Sequence, residues 1–417
     1  MKKTTLALAA LALATGSGLL WSKGQQPATP AEAWQAFSTL LKEEYAYQER
    51  ADLDALLARF APKAQAAKDE QELVDLMQQL TKHFQDPHLN VGPYDERDYS
   101  VMPTGSDIWA RAEQGRFVVE DVKGGSAALE AGIRPGDQIL AVDGVPAAQA
   151  AAAVFGRKPD ELAPSQLLYG LNVALGGRRN QGRTLVIERN GAKLSHELAA
   201  SYQAINQFRD GAPLSYKRHG KLGHIRFNNS LGRDDTAAAF SAALAELADT
   251  DALLLDLRNT PSGGNTGVAE PILGHFVTER RPYQAYRVQE PGLPYHKAPL
   301  RQAFVQPSQP YYGKPVVVLA GRWTGSMGEG MTIGMEALGA EVFGAPMADL
   351  LGGIKSVILD GTRIRVELGF ERIYHVDGRF REDYQPPHLS IPADTDAEGE
   401  DPALKAALAH LSRTVAR

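Results

Sequence analysis

The chain has 417 residues, enough for two or three domains with separate cores. Its 43% hydrophobic and 23% charged content is that of an ordinary globular protein. A formal net charge of −6, with no basic run interleaved with aromatics, argues against nucleic acid as a partner. The absence of cysteine excludes disulfides, thiolate metal sites and a cysteine nucleophile.

Lys2 and Lys3 precede the apolar run Leu6–Ala14, and small residues follow through Gly18. That order predicts a secretory signal over residues 1–24, with apolar character resuming at Leu19-Leu20-Trp21, so an uncleaved N-terminal membrane anchor is the alternative. The expected location is the periplasm or its face of the inner membrane, or outside the cell if there is no outer membrane.

A linker from Gln25 to Pro30 leads into residues 31–92, read as an N-terminal helical segment. Trp34, Phe37, Leu40 and Leu41 recur at helical spacing, as do Leu53, Leu56, Leu57 and Phe60, then Leu73, Leu76, Met77 and Leu80. Pro62 is read as a boundary between two of these helices. The segment closes on Asp86-Pro87-His88-Leu89-Asn90-Val91, where turn residues replace the helical pattern.

Residues 100–201 form a second unit. A strand over Phe117–Val122 is followed by Gly124–Ile133, a turn with a short helix. Arg134-Pro135-Gly136-Asp137 then turns into the strand Gln138–Val142, closed by Asp143-Gly144. This order closely resembles a PDZ domain. The resemblance implies a groove that takes an extended peptide by strand addition, often through its C-terminal carboxylate. The stretch Thr104-Gly105-Ser106-Asp107 is the candidate carboxylate-binding loop. A helix within Ser165–Val173 and a closing strand Thr184–Arg189 complete the unit.

From residue 215 to 417, strands and helices alternate: strand Leu222–Phe227, helix Asp234–Ala248, strand Ala252–Leu257, helix Gly267–Phe276, strand Pro315–Ala320, helix Gly328–Leu338. The alternation predicts an α/β domain on a largely parallel sheet. The Pro-rich stretch from Pro291 to Pro315 reads as a long loop bordering a cleft.

Two strand ends carry the chemistry. Leu253-Leu254-Leu255-Asp256-Leu257-Arg258 runs into Pro261-Ser262-Gly263-Gly264, and Val316–Leu319 runs into Thr324-Gly325-Ser326-Met327. Alone, Ser326 would read as a helix N-cap and the Asp-Arg pair as a salt bridge. Together, the loops can face each other across one sheet edge. One offers a nucleophile and the Met327 amide, the other a second amide for an oxyanion. Glu329, one turn on, reads as a helix-start charge. The histidines other than His88 lack metal-ligand spacings such as H-E-x-x-H and read as surface or core residues.

At this point the chain resembles the C-terminal processing and tricorn-like serine peptidases. The resemblance rests on Asp256-Leu-Arg258 through Gly263-Gly264, on Thr324-Gly-Ser326-Met-Gly-Glu329, and on the order helical segment, PDZ unit, core. It implies a crotonase-like ββα core and hydrolysis of polypeptides through an acyl-enzyme with no metal or organic cofactor, with substrate bound by its C-terminus and the PDZ-like unit recruiting or gating it. It also implies that Ser326 is the nucleophile, with the oxyanion hole formed by the backbone of Gly263 or Gly264 and of Met327. In the histidine-base branch, Asp86-Pro87-His88 matches the base motif, giving His88, although Pro87 stands where that branch has a serine. Lys355, in Gly352-Gly353-Ile354-Lys355-Ser356-Val357, is the alternative base. Tyr374…Asp377-Gly378…Arg381-Glu382 matches the stretch that supplies the orienting carboxylate, giving Glu382, reaching His88 directly or through a water. The rival functions are a catalytically inactive ligand-binding relative and a PDZ-based periplasmic scaffold.

Overall fold

The computed structural model describes residues 28–201 and 210–416. The expected signal or anchor over residues 1–24 lies outside the described residues. Among the described residues no helix is long and apolar enough to cross a membrane.

Three helices, Pro30–Glu44, Leu53–Gln65 and Glu70–Thr81, make the N-terminal segment. Each opens on a side-chain cap, from Thr29, Asp52 and Asp69 respectively, which satisfies an otherwise orphaned helix N–H. Pro62 does not end a helix. It sits in the last turn of the second one, which runs on to Gln65, and the boundary is set by the Asp69 cap instead. The missing N–H of Pro62 forgoes a bond to the carbonyl four residues back, but so late in the helix only the final turn is affected.

The core sheet has six strands in the order His388–Leu389, Glu341–Gly344, Val316–Ala320, Ala252–Asp256, Leu222–Phe227, Leu214–His219. All neighbours pair in parallel except the last two, which form an antiparallel hairpin. Successive residues face opposite ways. Leu253 and Leu255 join the cluster holding Phe240, Val268 and Met331, while Ala252 and Leu254 meet Ala403, Ala407 and Leu411 of the helix Pro402–Val415. Helices on both faces explain the unbroken apolar run of this strand.

A second, antiparallel sheet was not expected. Its path runs Asn90–Gly92, Arg365–Tyr374, Arg281–Val288, Arg301–Val305, with Gly353–Ile358 also pairing along Arg365–Tyr374. The Pro-rich stretch is thus no simple loop, because it carries the proline-free strand Arg301–Val305. That strand is at the opposite end of the sheet path from Asn90–Gly92, the strand that follows His88. Pairing of Asn90 with Glu367 ties the end of the helical segment to the core. The helices share a core with Val366 and Leu368 of this sheet.

The PDZ-like unit has its own apolar cluster under the strands Ile108–Glu113, Arg116–Val122, Gln138–Val142, Arg183–Arg189 and Ala192–Leu198, with Pro164–Leu175 as its main helix. It is bound to the core through polar contacts. Trp323 Nε1 donates to Ser106 O at 2.7 Å, Lys123 Nζ to Asn259 Oδ1 at 2.7 Å, and Arg322 pairs with Glu120 at 2.6 Å.

Candidate active site

Ser326 is the N-cap of the helix Met327–Ala337, directly after the loop that leaves Val316–Ala320. Its backbone is at φ 52° and ψ −110°, outside the regions L-residues favour. Its hydroxyl makes no capping bond. A serine held on a strained strand-to-helix turn, with its hydroxyl unspent, is the arrangement of a nucleophile elbow rather than of a simple cap.

The neighbouring strand Ala252–Asp256 ends on the same sheet edge, and its loop meets the elbow. Thr260 bridges Thr324, and Gly325 N–H donates to Thr260 O at 3.2 Å. Gly263 lies against the serine: a Cβ there would stand 3.0 Å from Ser326 Oγ and closer still to its Cβ. The amide of Gly263 is already spent on Thr260 O at 2.9 Å. No hydrogen bond from the amides of Gly264 or Met327 is found among the described residues. Asp256 and Arg258 have a structural task instead. Arg258 joins Asp256 at 2.8 Å and Asp401 at 2.8 Å, anchoring the C-terminal helix to the sheet.

His88 is presented by a short turn. Asp86 Oδ1 accepts the His88 N–H at 2.8 Å, and Asp86 Oδ2 accepts from Tyr45 at 2.9 Å. Pro87 O accepts from the Asn90 side chain. The ring is buried, and Nδ1 lies 3.1 Å from Leu351 O. A carbonyl can only accept, so Nδ1 carries the hydrogen and Nε2 presents its lone pair. Burial first, then the Arg381 guanidinium, hold the ring down at about 4, against the carbonyls of Leu351 and Gly352. No hydrogen bond joins His88 to Ser326 among the described residues, as is common in resting sites.

Glu382 accepts from the Tyr47 hydroxyl and from Gly352 N–H at 3.2 Å, both through Oε1. Its Oε2 is buried without a partner among the described residues. It makes no direct bond to His88; the link between them is the Leu351–Gly352 peptide group. Lys355 is placed otherwise. It pairs with Glu44 of the first helix and lies 5.8 Å from the Phe370 ring centroid.

Some residues at this site were not foreseen. Glu329 is no solvent-facing helix-start charge; it is 2% exposed, and burial pushes its carboxyl up to about 8. Tyr47 donates to Glu382, and Arg381 donates to the Leu350 and Gly352 carbonyls. Only Arg381, adjacent to Glu382, carried a sequence signal. In the candidate carboxylate loop of the PDZ-like unit, the Gly105 and Ser106 amides and the Ser106 hydroxyl are bonded within the unit. Gly105 N–H bonds Val101 O, Ser106 N–H bonds Pro103 O, and Ser106 Oγ bonds Ile108 O. Beyond it, Asn172 Oδ1 accepts Ala110 N–H at 2.7 Å and Asn172 Nδ2 donates to Ala110 O at 3.1 Å, on the edge strand.

Residues 221–388 match peptidase family S41, and residues 118–155 match the PDZ domain. The S41 match takes in the Gly263-Gly264 loop, the Ser326 elbow and Glu382. Peptidase family S41 consists of serine-type peptidases. Among curated proteins, the chain is 24% identical over 239 residues to the carboxy-terminal processing protease CtpB of Bacillus subtilis (strain 168). The aligned part is 57% of this chain and 44% of that relative, so the chain spans less than half of the relative's length. Two solved structures share the fold. The photosystem II D1 C-terminal processing protease superposes with a TM-score of 0.54 at 19% identity, covering 89% of this chain and 95% of that one. Mature CPAF superposes with a TM-score of 0.59 at 14% identity, covering 93% and 96%.

Proposed function

We propose that this protein is an exported serine peptidase of family S41 that cleaves polypeptides through an acyl-enzyme. The observation that carries the reading is the strained Ser326 elbow packed against Gly263, with His88 and Glu382 both anchored to the adjoining segment 351–352. Ser326 Oγ attacks the scissile carbonyl while His88 Nε2 takes its proton, which the imidazolium then gives to the leaving amine. Water, deprotonated in turn by His88, hydrolyses the acyl-enzyme. Met327 N–H and Gly264 N–H, both without a hydrogen-bond partner among the described residues, stabilise the oxyanion. Gly263 gives room beside the serine rather than an amide. Glu382 orients the base. Export rests on the basic, apolar and small-residue order over residues 2–18.

The substrate class is polypeptide, and the PDZ-like unit is the candidate for recruiting its C-terminal end or gating its entry. Its loop touches the oxyanion loop, because Thr104 Oγ1 donates to Pro261 O at 3.0 Å. A fluorophosphonate probe and casein hydrolysis test the reading. Wild type should be labelled and active, and Ser326→Ala neither. Equal labelling of both, or none of the folded wild type, would remove the peptidase assignment.

A further inference from the structure

We propose that Glu329 and Arg381 form a positioning clasp that holds the Ser326 elbow in register with the segment presenting His88. The proposal rests on the catalytic reading above. Glu329 uses both carboxyl oxygens on backbone amides from two different segments. Oε2 accepts Ser326 N–H at 2.7 Å, and Oε1 accepts Asp349 N–H at 3.0 Å. Both of those residues have positive φ without being glycine, 52° at Ser326 and 60° at Asp349. Such conformations persist only where their surroundings tie them down.

Arg381 acts on the carbonyls of the same two segments. Nη1 reaches Ser326 O at 3.4 Å, while Nη2 donates to Leu350 O and to Gly352 O at 3.1 Å. The two side chains face each other at 3.8 Å, each 2% exposed. An N3 glutamate that merely closes a capping box needs the first of these bonds alone. The second bond reaches a segment 20 residues further on, and that segment supplies the carbonyl for His88 Nδ1 and the amide for Glu382. Nucleophile and base come from elements that share no strand pairing or helix. The clasp is the connection that sets their relative position.

The test uses the full-length protein and the variants Glu329→Gln and Arg381→Lys. Glutamine can accept only one of the two amides and turns an NH₂ toward the other. Lysine keeps the charge but not the fork that spans three carbonyls. The clasp predicts that kcat and the fluorophosphonate labelling rate fall about 100-fold, the scale of a small misplacement of reacting groups. KM should stay within about twofold, and unfolding should remain cooperative. Folded variants that keep kcat and labelling within about threefold of wild type overturn the proposal. If Glu329→Gln does not fold, Arg381→Lys decides by the same readings. Amide hydrogen exchange reads the clasp without catalysis. Ser326 and Asp349 should exchange slowly in wild type and faster in Glu329→Gln, and unchanged exchange also overturns it. A wild type that resists labelling defeats the peptidase reading alone, and exchange then still decides the clasp.

Discussion

His88 and Glu382 are bonded to opposite ends of one peptide group. The imidazole Nδ1–H donates to the carbonyl of Leu351, and the amide of Gly352 donates to Glu382 Oε1. The carboxylate therefore polarises the peptide that fixes the ring, rather than touching the ring itself. Glu382→Gln is expected to lower kcat by about 10–100-fold, the range for an outer partner of a catalytic group. His88→Ala should be far more damaging. Steady-state kinetics on a quenched peptide check this, and equal losses for the two variants would refute the indirect role.

The pH profile follows from the depressed imidazole. With the ring held at about 4 by burial and Arg381, His88 is a neutral base throughout the range where an ordinary histidine, near 6.5, would be gaining a proton. The acid limb of kcat/KM should therefore lie nearer 4 than 6.5. Arg381→Met should move it upward, because it removes the cation that disfavours the imidazolium. The stability sign is the same. Between 6.5 and 4 the unfolded chain binds the proton that the folded ring refuses, so this group's stability contribution is present above 6.5 and is lost as pH falls through that window.

Glu329 has the opposite sign. Its folded carboxyl, raised by burial to about 8 from 4.5, faces Arg381, Asp349 and Glu382. The folded state holds the extra proton between those values, so its contribution is full below 4.5 and declines as pH rises through 8. In denaturant melts, wild type minus Glu329→Gln should show this decline with rising pH, and a flat difference would contradict it.

Gly263→Ala should abolish labelling of Ser326. The added methyl would press on the serine side chain, and alanine would have to adopt φ 63°, at a cost of about 1–3 kcal/mol. Intact labelling with a normal melting temperature would show that the loop has more room than the structure gives it.

Lys355→Met should leave turnover near wild type, because its amine is committed to Glu44 on a partly exposed surface. The lost pair should cost no more than about 1 kcal/mol. An inactive but folded Lys355→Met would transfer the base assignment from His88 to the lysine.

In the PDZ-like unit, Asn172 occupies with its amide the backbone groups of Ala110 that an added peptide strand would use. Asn172→Leu should speed exchange of the Ala110 amide by roughly fivefold, the worth of one hydrogen bond. It should also raise affinity for a fluorescent peptide pool with free C-termini over the amidated pool. Unchanged exchange would show that the side chain does not cap this edge.

Much of this was written in short stretches of chain. The helices around Phe37, Phe60 and Met77, the strands at Leu254 and Val317, and the glycine turns beside them depend on periodicity and turn chemistry within a dozen residues. The same local patterns put Ser326 at a helix start and His88 at the end of the helical segment. They could not give the antiparallel sheet, whose pairing joins Asn90 to Glu367, or the burial of Glu329. Nor could they choose between Gly263 and Gly264, a choice that turns on which amide is already bonded. Local sequence determines which elements form and which reactive groups they carry. The register between His88, Glu382 and Ser326 was decided only by tertiary structure, because the bonds that set it join residues as far as 335 positions apart, such as Tyr47 and Glu382. Such contacts depend on how separately patterned elements pack, and no periodicity within any one of them records it.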